Sequence, residues 1–135
     1  MREQAITRLA AQTAAFSGYT EVPPAERPAW KAFFRDRLAE TTSPIHLQIV
    51  WAGIKGLEDD GALAAVGAKL QQVSAQPDTF SFSSGAQRQI VCDARHLSAA
   101  TRPEAWTEFQ NAAEPWTSFA RETRDALQDP TLCGP

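Results

Sequence analysis

The side chains in this sequence best suited to holding a metal or attacking an electrophile are His46, Cys92, Asp93, His96 and Cys133. Cys92-x-x-x-His96 has the form of a metal half-site, but a structural zinc site takes four ligands and normally a second close pair. His46 and Cys133 are single and distant, so neither a metal nor another cofactor is expected. Cys92 with His96 or His46 would also supply a nucleophile and a base, which catalysis needs within hydrogen-bond reach of each other. In a strand followed by a loop, residues four apart are too far separated unless the chain turns back, and no catalytic residue is assigned. A Cys92–Cys133 disulfide requires an oxidising compartment. The first eight residues carry polar and charged groups where an export signal would be apolar, so unliganded thiols are expected.

The densest set of versatile polar groups is Asp93-Ala94-Arg95-His96 together with Arg88. Arginine recognises carboxylate or phosphate in bidentate fashion, and histidine changes charge near neutrality. Arg88, Asp93, Arg95 and His96 are therefore the candidate protein-binding residues; an exposed strand end with a local ion pair is the plainer reading of the same pattern. Trp-x-x-Phe occurs at Trp30/Phe33, Trp106/Phe109 and Trp116/Phe119. Large aromatics at helical spacing serve mainly to fill a core, although they could also line a partner groove. No nucleophile elbow, phosphate loop, dinucleotide fingerprint or zinc-protease helix is present. Gly53-x-x-Gly56 is too sparse to cradle a phosphate, and Asp59-Asp60 reads as a helix cap.

These residues must be positioned by the elements around them. Ile6, Leu9, Ala10, Thr13 and Phe16 predict a helix over 2–17, ended by Gly18. A proline-rich connector leads to a second helix from Pro28 to about Glu40, with Trp30, Phe33, Phe34 and Leu38 inward. Ser43 and Pro44 are N-cap and first residue of a third helix. Residues 45–57 also alternate like a strand, but Leu47, Val50, Trp51, Ile54 and Leu57 fit a helix better. A further helix follows over 62–74, on Leu63, Val66, Leu70 and Val73. Thr79-Phe80-Ser81-Phe82-Ser83, a turn at Ser84-Gly85-Ala86, and Arg88-Gln89-Ile90-Val91-Cys92 predict a β-hairpin over about 79–92, its phenylalanines packed on the helices. Thr101-x-x-Glu104 has capping-box spacing. The stripe Trp106, Phe109, Ala113, Trp116, Ala120, Thr123 and Leu127 then runs through Pro115, which must kink or divide the helix.

The fold expected is therefore α+β and mainly α: one domain over 1–135, five to six helices with the hairpin packed on them. A chain of 135 residues suits one domain and needs no metal or disulfide to hold a core. Net charge is −3, with segment sums of +1 over 1–40, −2 over 41–85 and −2 over 86–135. No segment has the basic footprint of nucleic-acid binding, and no apolar run reaches the ~20 residues of a membrane span. A cytoplasmic location is the default expectation. Arginine outnumbers lysine 10 to 3 and alanine is abundant, a pattern associated with GC-rich bacterial or phage coding sequence. With catalytic motifs missing, the leading expectation is a non-enzymatic protein that binds another protein, such as an immunity, accessory or anti-defence inhibitor protein. Alternatives are a small enzyme or ligand-binding domain with a pocket between hairpin and aromatic helices, and a homo-oligomer.

Overall fold

The computed structural model describes residues 22–75 and 84–134, and every regular element among them is helical. The α-helices are α1 (Arg27–Glu40), α2 (Pro44–Gly56), α3 (Leu63–Ser74), α4 (Ser84–Thr101), α5 (Glu104–Ala112) and α6 (Arg121–Gln128). Short 3-10 turns lie at Pro24–Glu26, Asp60–Ala62, Trp116–Ser118 and Pro130–Cys133. The α3–α5 contact is the most extensive, and α4 packs against α2, α5 and α6. None of these helices is long and apolar enough to cross a membrane.

The hairpin is not present. Residues 88–92, read as its second strand, lie inside α4, and among the described residues the fold is all-helical rather than α+β. The expected first strand, 79–83, and the expected helix over 2–17 fall outside the described residues. The physical reason is visible in burial: Gln87, Ile90, Val91, Ala94, Leu97 and Ser98 are all buried. Their spacing is that of one helix stripe, longer than the five residues whose local alternation suggested a strand.

Other signals lead where they point. Ser43 Oγ accepts from His46 N–H at 3.2 Å, and Pro44 begins α2, so the ambiguous segment is helix as far as Gly56, with Leu57 its C-cap. Pro115 divides the last stripe: α5 ends at Ala112 and α6 starts at Arg121. Trp106 and Phe109 are buried, while Trp116 is half-buried and donates its indole N–H to Gln110 O at 3.2 Å. Two expected caps do different work. Thr101 belongs to α4 and donates to Leu97 O at 2.9 Å, so the capping box is not formed. Asp59 makes no cap bond; its buried carboxylate takes a bidentate pair from Arg35, at 2.6 and 2.7 Å. Arg27 similarly donates to Leu57 O at 2.6 Å, tying α1 to the turn after α2.

Close approach sets the helix pairs. A Cβ on Gly67 of α3 would lie 2.6 Å from Phe109 O of α5, and one on Gly53 of α2 would lie 2.6 Å from the buried Phe34 ring of α1. The only larger polar side chain buried in α4 is Gln87. Its amide donates to Ser74 Oγ at 3.3 Å and accepts from Ala120 N–H at 3.1 Å and Thr123 Oγ1 at 3.2 Å. One side chain thus joins the end of α3 to the start of α6.

Gly67→Ala should destabilise the protein by about 1–3 kcal/mol, because the obstacle is backbone and cannot rotate away. A urea midpoint equal to wild type would contradict that packing. Gln87→Leu should cost a further, independent amount of about 1–3 kcal/mol by leaving the Ala120 N–H without its acceptor, again read by denaturation. At the surface, the Arg102 guanidinium hydrogen-bonds both Glu108 oxygens at 2.9 Å and holds that carboxyl below its usual value of 4.5. Such a group stabilises the fold above its unfolded pKa, and the contribution fades as pH falls through the depressed folded value. NMR titration should place the Glu108 midpoint below that of an ordinary glutamate, and Arg102→Ala should restore it.

Candidate functional site

Placing the sequence-predicted residues on a helix separates them. Arg88 and His96 share with Cys92 one face of α4, since positions four apart are neighbours on a helix. That face carries the C-terminal segment. Arg88 donates to Leu132 O at 2.6 Å, and His96 Nε2 lies 3.4 Å from Gly134 O. Cys92 is bonded to Cys133, with Cα atoms 5.2 Å apart. The expectation of two unliganded thiols is corrected: α6 and the Pro130–Cys133 turn bring Cys133 back across α4, a proximity that chain separation does not reveal. Arg95 turns toward α5, its guanidinium carbon 5.8 Å from the Trp106 ring centroid. Three of the four residues are therefore engaged within the chain on one side of the helix.

Asp93 faces the other flank, toward α2. Its carboxylate accepts from Gln89 at 2.8 Å, Lys55 at 3.2 Å and the Trp51 indole N–H at 3.3 Å. Around this junction lies a cleft of about 250 Å³ between α2 and α4. Gln48, Trp51, Ala52 and Lys55 form one wall, and Ala86, Gln89, Ile90 and Asp93 the other. The alanines keep it open, because neither fills the space between the helices. Lys55 is half-exposed at the mouth, while the Asp93 side chain is largely covered. One turn before Gln48, on the same face of α2, Ile45 is 60% exposed.

Sequence reasoning found Asp93 and missed its partners. Trp51 is in the core as expected, but neither its bond to Asp93 nor the part played by Lys55 is read from the sequence. Gln48, Ala52 and Lys55 recur at helical spacing within an otherwise apolar segment. Those small and polar positions mark the face of α2 that is not sealed into the core. Chemically, the cleft offers amides, an apolar floor and a paired carboxylate. His46 sits in the first turn of α2, its backbone N–H bonded to Ser43. Among the described residues, no three His, Cys, Asp or Glu side chains gather as a metal site would require. No protein-family model matches this chain, and no curated protein or solved structure is significantly similar to it.

Proposed function

We propose that this protein acts by binding another protein, without catalysis, and that the α2–α4 cleft receives the partner. The observation that carries this reading is the cleft itself, continued by the exposed Ile45 along the same face of α2. Ile45 is an exposed apolar side chain, and Ala52 and Ala86 offer partly exposed apolar surface over a floor formed by the buried Trp51 and Ile90. Gln48 and Gln89 can each donate and accept, which suits the backbone of an incoming segment. Interfaces concentrate their energy in aromatic and apolar anchors of this kind, with a polar rim around them. At about 250 Å³ the cleft is smaller than the ~300–1,000 Å³ typical of pockets that enclose small molecules. The carboxylate in it is already held by a lysine, an indole and an amide, an arrangement that fixes the orientation of Asp93.

The polar contribution assigned from sequence to Arg88, Asp93, Arg95 and His96 narrows in this reading to Asp93, joined by Lys55. Affinity purification of the tagged protein from its native host should yield a partner whose binding can be quantified. Ala52→Arg should fill the cleft, and Ile45→Asp should place a charge beside it. Each should weaken binding by about thirtyfold or more, about 2 kcal/mol at a central contact, with an unchanged circular dichroism spectrum. Wild-type affinity in both variants would place the contact elsewhere.

A further inference from the structure

We propose that the Cys92–Cys133 disulfide is a redox clasp whose reduction releases the C-terminal strap from α4 while leaving the helical fold in place. The strap, Pro130–Gly134, contains no buried residue in its 3-10 turn, and Leu132 is 51% exposed. Beyond the bridge and the packing of Cys133 itself, its hydrogen bonds to α4 are the exposed Arg88–Leu132 bond and the long His96–Gly134 contact. Exposed polar contacts contribute little, so the sulfur bridge is what keeps the strap seated. The core beneath it is secured differently. Ala126 and Leu127 of α6 are fully buried, and Gln87 holds the start of that helix.

Access differs between the two sulfurs. Cys92 is only 5% exposed, whereas Cys133 is partly exposed in the strap. A dithiol reductant therefore attacks Cys133 Sγ as its thiolate. The protein's S–S bond breaks, its electron pair leaves on Cys92 Sγ, and a mixed disulfide forms at Cys133. The second reductant thiolate then attacks its own sulfur in that mixed disulfide. Cys133 departs as thiolate, the reductant becomes a cyclic disulfide, and its two protons end on the two cysteines. Arg88 and His96 lie one turn on either side of Cys92 on the same face of α4, and both contact carbonyls of the strap that Cys92 holds. In sequence the spacing Cys92-x-x-x-His96 has the form of a metal half-site; on a helix it puts both groups on the face that the strap covers.

The test uses the full chain, with intact mass and thiol titration confirming the bridge, followed by dithiothreitol. Amide exchange should report on Leu132 and Gly134, whose N–H groups donate to Asp129 O and Thr131 O in the strapped form. Both should exchange at least about tenfold faster after reduction, and Cys92 should become open to iodoacetamide, while buried α4 amides and the helical spectrum stay as they were. Cys133→Ser should show the same strap exchange without reductant, and reoxidation of the wild type should reverse it. Two free thiols in protein kept under oxidising conditions would overturn the proposal. So would a strap equally protected in both redox states, or loss of the helical spectrum on reduction, which would make the bridge a staple of the whole fold.

Discussion

The buried amide of Gln87 fixes how α4 is rotated, and most of what this surface can do depends on that rotation. Successive residues on a helix are set at constant angles. Holding Gln87 inward with Ile90, Val91, Ala94 and Leu97 therefore leaves no freedom for the rest. Gln89 and Asp93 must face α2, and Arg88, Cys92 and His96 must face the C-terminal segment. A core of aliphatic side chains alone would fix the same face less sharply, because apolar contact is not directional. A hydrogen-bonding side chain that serves three partners has few acceptable positions. Cleft and strap are thus two consequences of one orientation.

Loop regions between the helices are held by arginines more than by caps. Arg27 reaches Leu57 O, Arg35 reaches Asp59, and Arg102 reaches both Asp60 and Glu108. The chain leaves α2 through Glu58 at φ 54°, a left-handed conformation common where helices end. An arginine fork satisfies carbonyl or carboxylate at a distance of many residues, which a capping serine or aspartate cannot do. The alternating charges along the sequence, which as a sum say only that the protein is mildly acidic, acquire meaning in these pairings.

How much of this was legible in the sequence depends on the length of the signal. Ser43-Pro44 and Pro115 act locally, through a cap and a missing N–H, and both mark element boundaries as read. The hairpin reading failed at Ile90-Val91-Cys92 because a short β-branched run is indistinguishable from a buried helix segment. The deciding residues, Ala94, Leu97 and Ser98, lie beyond the window. Asp93 was singled out for its chemistry, but Trp51 and Lys55 come from another helix 42 and 38 positions away. No local pattern encodes that meeting. The cysteine pair was hidden in the same way, and the expectation of free thiols rested on compartment rather than geometry.

The sulfur bridge also changes how the molecule would carry a mechanical load. It closes a ring across a sequence separation of 41 residues, with α5 and α6 inside it. Tension applied at the two ends of the chain passes from Cys92 to Cys133 through sulfur, so these two helices bear none of it. About 140 Å of extensible length is withheld, at roughly 3.4 Å per residue. The chain outside the ring would stretch under force, and the ring would travel through a narrow passage as a closed double strand.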